Sequence, residues 1–203
     1  MIIGITGSFG SGKTTVAKMF ASLGAYTIDA DKVYHSLIGP GKVCYKKIIM
    51  NFGKEILKKN NRIDRVKLGS IVFKQKSKLM LLSRLTHPEV IKEIRKIVKS
   101  KKRKAVIIEA SLLIESGFYK EADRIILVVN KKNQQVKRVR EAKGLDAKDI
   151  SRRIRMQMPL KKKLAFADFI IDNSGSKKDT LSQARKAWEQ IGEQYGCKRK
   201  IRH

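Results

Sequence analysis

An apolar run, Ile2 to Ile5, leads into Gly7-Ser8-Phe9-Gly10-Ser11-Gly12-Lys13-Thr14, and Val16, Ala17, Phe20 and Leu23 then recur at helical spacing. Strand, glycine loop and helix in this order are the setting in which G-x-x-x-x-G-K-[ST] cradles phosphate. The glycines let the backbone turn tightly enough for successive N–H groups to face a phosphate, aided by the positive end of the following helix. Lys13 would bridge the β- and γ-phosphates and Thr14 would ligate Mg²⁺. The motif therefore predicts a nucleoside triphosphate site made by Gly7, Phe9, Gly10, Ser11, Gly12, Lys13, Thr14 and Thr15.

The rest of the chain constrains the fold around that loop. Tyr26 to Ile28, Ala105 to Ile108, Arg124 to Val129 and Phe169 to Ile171 read as further short apolar strands. Helical periodicity fills the intervals: Val43 to Phe52, Asp64 to Phe73 with Asp64 as N-cap, Ser77 to Leu85, and Pro88 to Lys101 opened by proline in its first turn. It resumes over Gln134 to Ala142, Asp146 to Met156 and Lys178 to Ile191. Strands alternating with helices predict an α/β, three-layer P-loop fold with a parallel sheet of five strands and ligands at the strands' C-terminal ends. The expected divisions are a nucleotide-binding core of residues 1–30, 105–130 and 168–192, a helical insertion over 31–104, a further helical stretch over 131–167, and a basic tail over 193–203 that is disordered from Lys198 onward.

Composition narrows the function classes. With 203 residues and 42% hydrophobic side chains the chain can bury a substantial core. Ile125 to Val129 is far too short to span a bilayer, and no signal-peptide pattern opens the chain, so a cytoplasmic protein without membrane association is expected. Cys44 and Cys197 are distant and lack metal-ligand spacing, which predicts two free thiols. A net charge of +29 invites a nucleic-acid reading, but the lysines are dispersed and no nucleic-acid module is recognisable, which argues against nucleic acid as the partner. Asn130-Lys131-Lys132-Asn133 lacks the final aspartate of a guanine-reading N-K-x-D motif. What remains is a kinase acting on a small molecule, for which a carboxylate must sit near the acceptor hydroxyl. Asp29 and Asp31, at the end of the second strand, are the candidates; Asp31 is the preferred base, and it can equally cap the helix starting at Lys32.

Several further segments carry a family resemblance: Ile28-Asp29-Ala30-Asp31, His87-Pro88, Leu112-Leu113-Ile114-Glu115, Gln157-Met158-Pro159, and Ala167-Asp168 followed by Ile171-Asp172-Asn173-Ser174-Gly175. With the phosphate loop, this ordered set resembles the dephospho-CoA kinases from Met1 to about Ile191. The resemblance implies ATP- and Mg²⁺-dependent phosphorylation of the ribose 3'-hydroxyl of dephospho-CoA, the last step of CoA biosynthesis. It also implies that the helical insertion over 31–104 is an acceptor-binding, CoA-binding domain and that 131–167 is a helical lid over the core, as in nucleoside monophosphate kinases.

Position by position, it gives Asp31 the catalytic base role, puts His87 and Leu112 in the acceptor-binding region, and makes Arg138 the lid arginine that reaches ATP phosphates. The alternatives are that His87 only packs or caps and that Arg138 only faces solvent. Asn173 and Gly175 would lie beside the adenine or form a plain turn, and Glu109 would hold a Mg²⁺-bound water. Two departures stand out. Ser111 occupies the place of a usual proline, and Ala142-Lys143 replaces Arg-Asp ahead of Gly144-Leu145, so that a second lid arginine is missing unless Arg140 or Arg153 compensates.

Overall fold

The computed structural model describes residues 1–101 and 105–200, apart from the side chains of Lys132, Lys143 and residues 195–200. Five strands form one sheet in the order β2-β3-β1-β4-β5. They are β1 (Ile2–Gly7), β2 (Tyr26–Asp29), β3 (Val106–Glu109), β4 (Arg124–Val129) and β5 (Phe169–Asp172). β1 pairs in parallel with β3 and with β4, and β4 in parallel with β5. The order places β1 centrally, with its neighbours reached by crossovers on either side, so the loop after β1 opens at the switch point where such sheets bind ligands.

The apolar runs become central strands because both of their faces are covered. On one face Ile3, Ile5, Ile107, Ile126, Val128 and Ile171 pack in one cluster with Val16, Ala17 and Phe20 of α1 (Lys13–Ser22) and Ala184, Ala187 and Ile191 of α9 (Lys177–Lys200). Phe20 meets Trp188 edge-on with centroids 5.9 Å apart, a geometry that adds about 0.5–1.5 kcal/mol to the burial itself. On the opposite face a Cβ on Gly4 would collide with Leu113, so only glycine lets the 111–122 segment lie flat on β1.

Backbone contacts divide the chain into two compact units, one of Met1–Ile28 with Arg103–His203, the other of Asp29–Lys102. The second unit is helical, with α2 (Ala30–Leu37), α3 (Val43–Phe52), α4 (Arg65–Val72) and α5 (Lys76–Ser100). Its own core gathers Ile38, Cys44, Ile48, Phe52, Ile56, Ile63, Leu68 and Val72. Asp64 caps α4 as its position predicts, accepting from Val66 N at 2.9 Å and Lys67 N at 3.2 Å.

The structure differs from the sequence reading at several places. Ser77 to Leu85 and Pro88 to Lys101 are not two helices: α5 runs unbroken with Pro88 inside it. Proline removes one hydrogen bond to the carbonyl four residues back, a cost of about 3 kcal/mol, yet the helix continues because Thr86, Val90 and Ile94 are buried on both sides of the break. The basic tail is not distinct either, since α9 extends to Lys200; residues 201–203 and the side chain of Cys197 lie outside the described residues. A short helix, α8 (Leu160–Leu164), occupies a stretch that periodicity did not mark. Between β4 and α8 lie α6 (Lys132–Lys143) and α7 (Ala147–Arg155), divided by Gly144 in a left-handed conformation with φ 62°.

Among the described residues no helix is long and apolar enough to cross a membrane. Cys44 is a free, buried thiol whose pKa is raised by burial.

Candidate active site

The loop after β1 has the shape its glycines allow. Gly10 and Gly12 adopt φ of 82° and 92°, the left-handed region that side-chain-bearing residues avoid. A Cβ on Gly12 would strike the side-chain amide of Asn173, and one on Gly10 would strike Val139 of α6. The loop is thus bare because other parts of the same unit press against it. Lys13 is 6% exposed, and its ammonium turns back over the loop to donate to Ser8 O at 3.1 Å and Gly7 O at 3.3 Å.

Thr14, in the first turn of α1, donates its hydroxyl to Glu109 Oε1 at 2.6 Å. The Ser11 side chain is buried with its hydroxyl unpartnered. A hydroxyl and a carboxylate held together at the C-terminal edge of two adjacent strands are the hard oxygen donors that Mg²⁺ takes, and a buried ammonium beside glycine-borne N–H groups suits polyphosphate. The residues present therefore fit Mg²⁺-ATP.

The segment after β5 completes this side of the site. Asn173 is 6% exposed, and its amide donates to Ser11 O at 2.9 Å while its Oδ1 accepts from Thr180 Oγ1 at 3.3 Å. Asn173 is thereby fixed against the phosphate loop, and Gly175 follows in the bend before α9. Arg138 lies close by, donating to Asn173 O at 3.0 Å.

Phe9, in the middle of the phosphate loop, is held from outside. Its N–H donates to Gln157 Oε1 at 2.9 Å, and its carbonyl accepts from Gln135 Nε2. The guanidinium of Arg153 stands 5.4 Å from the centre of its ring. Of the two arginines weighed as replacements for the missing one near Ala142, Arg153 is therefore in contact with the loop, whereas Arg140 is exposed on α6.

Behind this lies a buried ion pair. Lys163 of α8 is 0% exposed and donates to Ser111 O at 2.7 Å, with Glu115 Oε1 3.0 Å away. Burial pushes the Lys163 pKa down, opposed by the Glu115 carboxylate. Since a carbonyl accepts this bond whatever its side chain, serine in place of proline at 111 leaves the contact intact.

In the helical unit, Asp29 rather than Asp31 caps α2, accepting from Lys32 N at 3.1 Å. The capping role considered for Asp31 is thus filled, and Asp31 is an exposed carboxylate in the first turn of the helix, which begins at Ala30 and not at Lys32. His87 lies within α5, one residue before Pro88, and not at a helix start. Leu112 belongs to the turn after β3, in the other unit.

Asp168 accepts from Ile125 N at 2.7 Å, which gives this part of the motif set a structural task at the start of β4. The roles of Gln135, Gln157, Glu115 and Lys163 were not read from the sequence. Gln157 and Glu115 stood in recognisable motifs, but Gln135 sits on a polar helix with nothing to single it out. Among the described residues no cluster of His, Cys, Asp and Glu forms a metal centre of its own.

The chain is 44% identical over 194 residues to the dephospho-CoA kinase of Aquifex aeolicus, covering 93% of this chain and 96% of that one. It is 42% identical over 185 residues to the dephospho-CoA kinase of Carboxydothermus hydrogenoformans, with 90% of each covered. Among solved structures, the dephospho-CoA kinase from Campylobacter jejuni superposes with a TM-score of 0.67 at 31% identity, over 96% of this chain and 98% of that one. A shikimate kinase from Acinetobacter baumannii, 17% identical with a TM-score of 0.54, shares the fold alone. With the dephospho-CoA kinase profile matching residues 1–179 as well, the chain belongs to the dephospho-CoA kinase family.

Proposed function

We propose that this protein phosphorylates the ribose 3'-hydroxyl of dephospho-CoA with ATP and Mg²⁺ in the cytoplasm, giving CoA and ADP, with Asp31 as the base. The observation that carries the reading is the Thr14–Glu109 contact beside the Lys13 ammonium, in a chain of this family. Bound ATP supplies the γ-phosphoryl group, and Mg²⁺ spreads the charge on its oxygens. The protein's residues do the rest by positioning and neutralisation.

Lys13 leaves the Gly7 and Ser8 carbonyls to bridge the β- and γ-phosphates. Thr14 and Glu109 would hold Mg²⁺ beside the nucleotide, Glu109 through a water. Asn173 and Gly175 border the adenine, and residues 131–167 act as a lid whose Arg138 offers a planar guanidinium able to grip two phosphate oxygens. The helical unit takes the acceptor, with His87 in its binding region, and Asp31 receives the hydroxyl proton as the oxygen attacks phosphorus. Asp31 suits this task because Asp29 already serves the helix cap.

Purified protein with ATP, Mg²⁺ and dephospho-CoA should yield CoA and ADP in equal amounts. Absence of that turnover, with adenylate or another small alcohol phosphorylated instead, would reject the assignment.

A further inference from the structure

Lys163 is a fully buried cation for which phosphoryl transfer has no direct use. An apolar side chain would fill the same space at no electrostatic cost, because desolvating two charges commonly cancels their attraction. Its partner Glu115 does more than neutralise it: Glu115 Oε1 also accepts from Met158 N at 2.8 Å. Met158 directly follows Gln157, whose side chain accepts from Phe9 N at 2.9 Å. The next link is the phosphate loop itself, since the carbonyls of Gly7 and Ser8, immediately before Phe9, are the ones that hold the Lys13 ammonium.

We propose that Lys163 is a positioning residue for nucleotide binding: paired with Glu115, it fixes the Gln157-Met158-Pro159 turn so that Gln157 holds Phe9 and keeps the phosphate loop in shape to receive ATP. The proposal rests on the ATP-binding reading of that loop. Its geometry is a single relay. Lys163 orients the Glu115 carboxylate, Glu115 takes the Met158 N–H, and one peptide bond transmits the placement of Met158 to Gln157. A carboxylate acceptor is needed at Glu115 because it binds an ammonium and a backbone N–H together, and charge-assisted bonds are the stronger kind.

The test is steady-state kinetics, ATP titration calorimetry and thermal melting on the full chain with Lys163→Met, Glu115→Leu/Lys163→Met, and Gln157→Ala. Lys163→Met should raise KM and Kd for ATP about tenfold, the size of one lost charge-assisted hydrogen bond, with KM for dephospho-CoA unchanged. The Leu/Met double variant should regain wild-type melting, since an apolar pair replaces a buried ion pair, yet keep the weakened ATP binding. Gln157→Ala should weaken ATP binding equally without lowering the melting temperature, and combining it with Lys163→Met should add nothing further.

Wild-type ATP affinity in Gln157→Ala or in the double variant would overturn the proposal, as would recovery of ATP affinity together with melting in the double variant. If Lys163→Met alone fails to fold, the other variants carry the test. Calorimetry reads ATP binding whichever acceptor the wild type uses, so failure of the dephospho-CoA assignment registers separately in turnover.

Discussion

The Thr14 hydroxyl and the Glu109 carboxylate meet at 2.6 Å, joining the first turn of α1 to the last residue of β3. The helix that follows β1 and the neighbouring strand β3 thus bring one neutral and one anionic oxygen together, where Mg²⁺ is proposed to accompany the nucleotide. Glu109→Gln keeps the shape and a hydrogen-bond acceptor but removes the charge. We expect it to raise the Mg²⁺ concentration for half-maximal rate and to lower kcat about 10²-fold, with melting nearly unchanged. A Mg²⁺ titration of initial rates checks this, and an unaltered Mg²⁺ dependence would remove Glu109 from the metal side of the site.

Asp29 and Asp31 are close in sequence, but Asp29 caps α2 and Asp31 is the proposed base. Asp31→Asn should lower kcat by about 10²–10⁴-fold, the usual worth of a general base, while ATP binding stays near wild type. Asp29→Ala should mainly cost stability, about 1 kcal/mol for a lost N-cap. Paired measurements of kcat and urea midpoint separate the two, and a near-normal kcat for Asp31→Asn would refute its role as base.

Arg153 contacts Phe9 of the phosphate loop through its ring, whereas Arg140 is exposed on α6. Arg153→Ala should therefore raise KM for ATP severalfold, because a partly desolvated cation–π contact and a cation near the phosphates disappear together. Arg140→Ala should have the smaller effect. ATP titrations of both variants decide the matter, and equal effects would disfavour Arg153 as the replacement for the missing lid arginine.

Tyr34 gives the helical unit a pH signature. Its phenol is pushed up to about 12, first by burial, then by Cys44 and Asp31, with Arg65 acting in the opposite sense. A raised pKa means that the folded state holds the proton more tightly than the unfolded chain, whose tyrosine titrates near 10. The contribution is complete below pH 10 and is lost as pH rises from about 10 towards 12. Urea midpoints measured between pH 9 and 11 should fall, and Tyr34→Phe should flatten that fall; an identical slope in the variant would show that other groups cause it.

The parts of the fold that were legible are those encoded locally. β1, the glycine loop and α1 follow from an apolar run, a bare turn and a helical repeat, and α3 spans Val43–Phe52 as its periodicity indicates. Asp64 capping α4 is likewise a short-range interaction. The continuity of α5 through Pro88 was not legible, because local propensity disfavours a helix that burial on both sides of the proline sustains. Asp29 as the cap of α2 was also not legible: the sequence offered Asp31 for that task, both are aspartates suited to a cap, and backbone geometry selects Asp29.

The sequence by itself determined that Gly7 to Thr14 form a glycine loop of phosphate-binding pattern between a strand and a helix, and that strands and helices alternate around that loop, because those signals repeat over a few residues. The tertiary structure alone decided what surrounds the loop. Glu109, Asn173, Gln157 and Lys163 are separated from it by roughly 95 to 165 residues of chain, and only the parallel sheet order and the packing of the later helices bring them there. Hydrogen bonds of that range leave no periodicity in the sequence to be read.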